Sequence, residues 1–235
     1  MKKIISLVLF LTISIAALQA QILTPSTYSY TQKVYGEEKL DEITSVFIFT
    51  GGSEVIWCLE SHDNFVYPIG FGTYNKAKAT ITFSATHSLN KKLAIYDGGN
   101  TSIVFKVKNT KGNIQLSTNN DNGILNTILG DASNGIALTK EKYNLKPSKK
   151  LVGKGYRYDR NDGRRITLYF SSENEVVIDG VTRGYVCVGN TVGIISNDNP
   201  LSEAVVCKIL GDNLEMHRSG IEKKEYPTFT LKLQE

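Results

Sequence analysis

Two thirteen-residue segments of the chain share one hydrophobic pattern, and this internal similarity restricts the possible folds more than any other feature. The segments 72–84 (GTYNKAKATITFS) and 183–195 (RGYVCVGNTVGII) align without a gap, although only two positions are identical. In both, apolar residues tend to alternate with polar ones, as in half-buried β-strands. The match indicates that one strand arrangement occurs twice in the chain.

Two further pairs of segments support a duplication. The three blocks occur in the same order in both halves, at offsets of 121, 111 and 102 residues. If the repeat is real, equivalent residues share an environment, so we predict that Phe49 matches Phe170 and Ile81 matches Val192. The additional pairs are 49–55 (FTGGSEV) with 170–176 (FSSENEV), and 102–107 (SIVFKV) with 204–209 (AVVCKI).

The shrinking offsets show where the first copy carries extra residues. Its insertions fall in the loops around 60–70 and 84–99. Because loops on a fixed scaffold often carry function, these insertions are candidates for a binding site.

The remainder of the chain has the composition of strands and turns. Short β-branched and aromatic runs are separated by Asn, Asp and Gly, and only 122–130 (NGILNTILG) looks helical. We therefore predict an all-β protein with two tandem, related antiparallel β-barrel or sandwich modules. The Pro- and Lys-containing segment 146–150 places the boundary between a first module at 21–146 and a second at 147–235.

The N-terminus has the features of a secretory signal peptide. Lys2 and Lys3 precede a mostly apolar run at 4–15, and Ala20 supplies a small residue for cleavage. We therefore expect residues 1–20 to be removed and the mature chain to be exported, to the periplasm or outside the cell. No later segment is apolar and long enough to predict a transmembrane helix.

Three cysteines allow at most one internal disulfide. Strand alternation predicts that Cys207 lies in the core, that Cys58 is opposite in phase to Trp57, and that Cys187 faces outward. Cys187 and Cys207 are not expected to be bonded, because the strand at 191–196 separates them. Two strand spacings amount to about 9.5 Å, more than the roughly 7 Å that a disulfide tolerates between Cα atoms.

The motifs of common enzymes and metal sites are missing from the sequence. His62, His87 and His217 occur singly, without the clustered ligands of zinc sites. There is also no Gly-x-Ser-x-Gly elbow, phosphate-binding loop or EF-hand loop. We therefore expect no catalytic residues of these classes, no metal and no cofactor.

Positive charge is concentrated at 140–165, which contains ten basic and three acidic residues and therefore has a net charge of +7. Within it, 155–165 (GYRYDRNDGRR) interleaves tyrosine with arginine, as some nucleic-acid grooves do. An anionic polymer, a lipid head group or nucleic acid would suit such charge. We favour a solvated linker and edge strand, where Lys and Arg discourage edge pairing, and do not expect a nucleic-acid partner.

The second copy has an ordered series of strands and turns: an aromatic strand, a Gly-Asn turn, two apolar strands, a Gly-Asp-Asn turn and a final strand, within 184–217. In this it resembles the lipocalin-like small-barrel domains of exported proteins from Bacteroidetes-type bacteria. The resemblance covers about 156–233 and, more loosely, 34–117. It implies a meandering antiparallel barrel, in some members with an apolar ligand, and supplies no catalytic residues. The chain lacks the Gly-x-Trp opening of typical lipocalins.

The leading hypothesis is a non-enzymatic binding module for a small apolar ligand or a cell-envelope partner. The candidate contacts are the sole tryptophan and the polar and aromatic residues of the first insertion, because Trp and Tyr give large contact areas at low entropic cost. These residues are Trp57, His62, Asp63, Phe65 and Tyr67.

Two other functions remain open on the sequence. A hydrolase, possibly carbohydrate-active, would use loop carboxylates such as Glu54, Glu60 and Asp63. A protein-interaction or inhibitor module would act through exposed strand edges. The sequence leaves open the oligomeric state and whether the two modules pack together.

Overall fold

A computed structural model of the chain shows two closed antiparallel β-barrels of eight strands each. It describes residues 25–35, 40–60, 66–84, 102–120, 123–195, 204–219 and 228–234. Each strand pairs with the next along the chain, and the first and last strands of each barrel close it. The predicted all-β fold with two tandem barrel modules is therefore confirmed.

Barrel 1 comprises eight strands and a short helical connection between the last two. The helical segment predicted at 122–130 corresponds to helix α1 (Gly123–Leu129), which a 3₁₀ turn at Ala132–Asn134 follows. The strands are β1 (Ser26–Tyr35), β2 (Leu40–Phe49), β3 (Glu54–Glu60), β4 (Val66–Asn75), β5 (Thr80–Ser84), β6 (Ser102–Thr110), β7 (Asn113–Ser117) and β8 (Ile136–Lys140).

Barrel 2 repeats this order, and four of its seven connections are shorter than those of barrel 1. Its strands are β9 (Gly155–Asp159), β10 (Arg165–Phe170), β11 (Glu175–Ile178), β12 (Val181–Val188), β13 (Thr191–Ile194), β14 (Ala204–Leu210), β15 (Asn213–Ser219) and β16 (Phe229–Gln234). The predicted module boundary at 146/147 falls in the connecting segment 141–154, whereas the predicted signal peptide lies outside the described residues. Within the described ranges, no helix is long and apolar enough to cross a membrane.

Equivalent strands of the two barrels are paired in the same way. Phe49 and Phe170 are both buried at the end of a hairpin, and Ile81 and Val192 are both fully buried, as predicted from the repeat. The corresponding pairs across the ladders are Phe49 with Val55, Phe170 with Val176, Ile81 with Phe105, and Val192 with Cys207.

Backbone hydrogen bonds outside the ladders are repeated as well. The Tyr74 amide donates to the Ser53 carbonyl at 2.6 Å, and the equivalent Tyr185 amide donates to the Asn174 carbonyl at 3.0 Å. Likewise, the Val107 amide donates to the carbonyl of Ala79, just before β5, and the Ile209 amide donates to the carbonyl of Asn190, just before β13. Both distances are 2.8 Å. The repetition of irregular contacts, and not of strands alone, fits an internal duplication.

One hairpin differs, and the difference corrects the prediction for Cys187. β4 and β5 are joined by four residues, 76–79, whereas β12 continues two residues further and turns through Gly189 and Asn190. A two-residue change in pairing leaves side chains on the same face of a strand. Cys187 therefore stays in phase with Tyr185 and is buried inside barrel 2, not outward as predicted.

The other cysteine predictions agree with the structure. All three thiols are unpaired, and β13 lies between the strands of Cys187 and Cys207. Cys207 is a core residue, and its burial raises the pKa of the thiol to about 12. Cys58 faces away from Trp57 but is also fully buried, because the outer face of β3 is covered.

Candidate functional site

The structure places the indole of Trp57 in the interior of barrel 1. The side chain is 0% exposed, and its Nε1 donates a hydrogen bond to Ser45 Oγ at 3.2 Å. The ring stacks on Phe47 with 5.5 Å between centroids and an interplanar angle of 16°. In this structure, Trp57 thus has a packing role that is sufficient to explain its presence.

The other predicted site residues are not brought together by the described part of the chain. Tyr67 lies in β4, where its backbone pairs with Leu59. His62, Asp63 and Phe65 lie outside the described residues. The assignment of a ligand to this loop therefore stays a prediction.

Large side chains fill the interiors of both barrels. In barrel 1, Trp57 and Phe105 have ring centroids 5.8 Å apart, and Phe83 contacts both rings. In barrel 2, Phe170 and Tyr185 are 4.8 Å apart in an edge-to-face arrangement. Small barrels of eight strands are just wide enough for side chains to fill or for one small ligand. Among the described residues, large buried side chains occupy the centre of each barrel.

A cleft of about 690 Å³ lies between the two barrels and the segment that connects them. Its apolar lining comes from both modules and from the connecting segment. Polar and charged groups supply the remainder of its wall. The apolar and aromatic lining residues are Pro25, Phe49, Ile56, Phe71, Leu145, Pro147, Tyr185 and Val186, and the polar ones are Thr50, Glu54, Lys146, Ser148, Lys149, Ser172, Glu173 and Asn174.

The wall of the cleft includes the same turn from each repeat. In barrel 1, the amide and hydroxyl of Thr50 donate to the Glu54 carbonyl at 3.3 and 3.2 Å. In barrel 2, the amide and hydroxyl of Ser171 donate to the Glu175 carbonyl at 3.0 and 3.3 Å. These bonds fix both turns, so the polar side chains around the cleft project from rigid hairpins.

Barrel 2 presents an apolar outer face to barrel 1. Along β12, Tyr185 and Cys187 point into barrel 2, while Val186 belongs to the hydrophobic core cluster of barrel 1. Ile195, just after β13, belongs to that cluster as well. The interface explains why residues 185–188 are apolar at consecutive positions: both faces of the strand are covered.

The connecting segment is hydrogen-bonded to both barrels. The Leu145 amide donates to Thr27 Oγ1 in barrel 1 at 2.8 Å. The Ser148 amide donates to the Cys187 carbonyl in barrel 2, also at 2.8 Å. Residues 145–149 thus form a wall of the cleft with defined contacts, although the sequence alone gives them the composition of a linker.

Charge around the cleft is balanced in part. Lys149 forms an ion pair with Glu173, and both side chains are well exposed, so the pair contributes little to stability. The Tyr185 hydroxyl donates to the Ser172 carbonyl at 2.9 Å. Burial, assisted by Cys187 and Glu173, raises the pKa of Tyr185 well above its usual range. This hydroxyl therefore stays protonated and acts as a donor.

A second polar cluster lies on barrel 1, where β1 and β3 meet the start of the connecting segment. Ser29 Oγ donates to a carboxylate oxygen of Glu141. Burial, and secondly the negative charge of Glu141, raise the pKa of the Glu60 carboxyl. The same two carboxylates, after burial, help to raise the pKa of Tyr143. The cluster brings two carboxyl groups near each other at a partly buried position, which opposes ionisation of Glu60.

Comparisons with known proteins do not assign the chain to a family. No protein-family model, no curated protein and no solved structure matches it significantly. Within the described ranges, no group of three or more His, Cys, Asp and Glu side chains is arranged to hold a metal ion. The cleft is therefore the described feature whose shape and lining best suit a ligand.

Proposed function

We propose that the protein is an exported binding module that holds a small apolar or amphipathic ligand, or the apolar part of a cell-envelope component, in the cleft between its barrels. The observation that carries this proposal is the contrast between filled barrel interiors and the cleft of about 690 Å³. That volume lies within the roughly 300–1,000 Å³ of typical small-molecule sites.

The lining defines the character of the ligand. Phe49, Ile56 and Phe71 from barrel 1 and Val186 from barrel 2 are largely buried and form the apolar part of the wall, against which an acyl or aromatic group would pack. Lys146 is exposed at the same cleft and carries a positive charge. A ligand with an apolar body and a polar or anionic end fits this distribution.

Binding without catalysis agrees better with the carboxylates of the cleft than hydrolysis does. A glycosidase needs two carboxylates available on either side of the scissile bond. The cleft contains Glu54 and Glu173, but Glu173 is engaged with Lys149. An interaction module acting through strand edges is also less well supported, because both sheets close into barrels.

Export and a lipocalin-like origin of the scaffold belong to the same proposal. The support for export is the basic, then apolar, sequence of residues 1–20. N-terminal sequencing of the protein from its native host is expected to begin at Gln21. A mature protein that retains Met1 would contradict export through this leader.

The binding site is tested by filling the cleft. N-phenyl-1-naphthylamine, an apolar probe whose fluorescence rises on binding, is titrated into the wild type, Lys146→Trp and Lys142→Trp. Lys146 lines the cleft, whereas Lys142 is exposed in the same segment and does not. Filling the pocket is expected to weaken binding by about ten-fold or more, as when a central contact of a site is lost.

The Lys142→Trp variant controls for the loss of charge and for the added indole, so it is expected to bind like the wild type. Circular dichroism checks that both variants are folded. Equal affinities for all three proteins, or no binding by the wild type across a panel of apolar probes, would contradict the proposal.

A further inference from the structure

A separate surface of barrel 2 lies on β16, β9 and β10, away from the strands β12–β14 that contact barrel 1. Two adjoining hollows occur on it, and Arg157 and Gln234 line both. Alternation along these strands turns apolar and aromatic side chains such as Tyr156, Leu168 and Leu231 inward, and leaves mainly polar and charged side chains and Tyr169 outside. We call this surface the β9 face and define it by Arg157, Arg165, Thr167, Tyr169, Lys232 and Gln234.

Strand register arranges the β9 face in rows. In one row, Lys232 pairs with Arg157, which pairs with Thr167 on β10. Directly paired residues have Cβ atoms about 5 Å apart, and diagonal neighbours about 7–8 Å apart. Arg165 is diagonal to Arg157 and pairs directly with Asp159, so three cationic side chains and one carboxylate lie near one another across three strands.

The adjacent row contains an aromatic platform. Gln234 pairs with Gly155, and Gly155 pairs with Tyr169. Tyr169 is 51% exposed, among the largest values for an apolar or aromatic side chain in the described residues. Because Gly155 has no side chain, the backbone beside the tyrosine ring is left uncovered, and a flat group has room to lie against both.

Acidic side chains moderate the charge of the β9 face. Asp159 accepts from Arg157 Nε at 2.8 Å and forms an ion pair with it. Asp179 accepts from the Thr167 amide and hydroxyl at 2.8 and 3.2 Å. Lys232 and Arg165 form no ion pair with the described residues. The face is therefore positive, but not densely so.

We propose that the β9 face binds an acidic polysaccharide, with a sugar ring on Tyr169 and carboxylates on Arg157, Arg165 and Lys232. Charge complementarity favours an anionic partner, since the two hollows of this face contain the cations Arg157, Arg165 and Lys232 against one carboxylate, Asp159. A single exposed aromatic ring next to hydrogen-bonding side chains suits a sugar, whose ring offers an apolar face and polar edges. This inference concerns a different surface from the cleft and does not depend on it.

The same observations argue against nucleic acid as the partner. Single-stranded nucleic acids are held by several aromatic platforms in a strongly basic groove. The tyrosines interleaved with arginine at 155–165 do not provide them. Tyr156 is buried, and Tyr158 packs inside barrel 2 against Phe229, with ring centroids 5.2 Å apart. The interleaving reflects strand alternation, with tyrosines inside and Arg157 outside.

The test measures binding of the full-length mature protein to immobilised polygalacturonate at low salt, with neutral dextran and single-stranded DNA as competitors. Arg165→Gln and Tyr169→Ala each remove a group from the β9 face. Each is expected to weaken binding by about ten-fold, as the loss of a hot-spot contact does. Lys108→Gln, on an exposed position of β6, and Tyr143→Ala, at a tyrosine that is 47% exposed, are the matched controls and are expected to bind like the wild type.

Competition decides between the classes of partner. Soluble polygalacturonate should compete, whereas dextran and single-stranded DNA should not at the same mass concentration. The proposal is overturned if DNA competes as well as polygalacturonate, if dextran does so, if the β9-face variants bind like the controls, or if the wild type does not bind. Because none of the variants touches the cleft, binding of the naphthylamine probe should remain unchanged in all of them.

Discussion

The two barrels have the same strand order and, apart from the β4–β5 and β12–β13 hairpins, equivalent pairings, but different side chains fill them. Barrel 1 is packed with Phe47, Trp57, Phe83 and Phe105, which contact one another as rings. The equivalent positions of barrel 2, identified from the paired strands and the aligned segments, hold smaller residues: Leu168, Ile178, Ile194 and Cys207. Alternation and turns therefore specify this scaffold, and the volume of individual core residues is free to vary, provided that the sum fills the space.

A glycine accompanies the larger rings of barrel 1. A Cβ atom added at Gly72 would lie 2.7 Å from two carbons of the Phe83 ring. The equivalent residue of barrel 2 is Arg183, judged by its pairing with Val176 where Gly72 pairs with Val55. In barrel 1, the Phe83 ring thus fills the space that a side chain at position 72 would need. In barrel 2, the equivalent of Phe83 is the smaller Ile194, and the position equivalent to Gly72 carries a side chain.

The largest expected effect on stability comes from removing the central tryptophan side chain of barrel 1. Trp57→Ala should lower the free energy of unfolding by about 3–5 kcal/mol, because it removes a fully buried aromatic side chain and leaves a cavity. The matched change in barrel 2, Ile178→Ala, should cost roughly 2 kcal/mol or less, because Ile178 is only partly buried. Thermal denaturation followed by circular dichroism measures both. Equal losses would show that the two interiors are not packed differently.

A smaller effect is expected where Gly72 meets Phe83. Gly72→Ala should cost about 1–3 kcal/mol, the usual penalty for overpacking a core. In a Phe83→Leu background the same change should cost clearly less, because the shorter side chain vacates the space. Gly52→Ala is the control, since nothing lies within 4 Å of its added Cβ. Strictly additive effects of the two core substitutions would argue against the contact.

The smallest effect concerns Glu60, whose ionisation is disfavoured in folded barrel 1 by burial and by the nearby Glu141. Its pKa is raised in the folded protein, so folding favours the protonated carboxyl, and stability is lost as the pH rises from the unfolded pKa through the folded pKa. Glu60→Gln should therefore raise the Tm by about 1–2 °C at pH 7 and leave it nearly unchanged at about pH 3.5. The exposed Glu42→Gln variant should show no such pH-dependent gain. A stabilisation by Glu60→Gln that is the same at both pH values would have another cause.

Sequence patterns predicted the barrels well because the relevant signals are local. Inward positions such as Ile103, Phe105 and Val107 alternate with exposed ones, and the turns that separate the strands use Gly and Asn. The duplicated segments then predicted which residues are equivalent. Cys187 was the exception, because the extension of β12 by two residues depends on the turn that follows it, and the alignment did not show where each strand ends.

The cleft was not predicted, because it depends on how one barrel sits against the other. A partial signal was present: the segments 55–59 and 185–188 are apolar at consecutive positions, which indicates strands covered on both faces. Trp57 was interpreted as a binding residue because it is the only tryptophan, but aromatic size serves a core equally well. Sequence alone does not separate those two uses of a large ring.

The central claim is that a ligand binds between the barrels and not inside one of them. Photolabelling tests it most directly: an apolar probe carrying a diazirine is bound, irradiated and located by peptide mass spectrometry. Labels are expected on residues 145–149 and 172–174 and on Phe71, which line the cleft. Labels confined to Trp57, Phe83 and Phe105, or to the loop at 60–70, would contradict the claim and return the site to barrel 1.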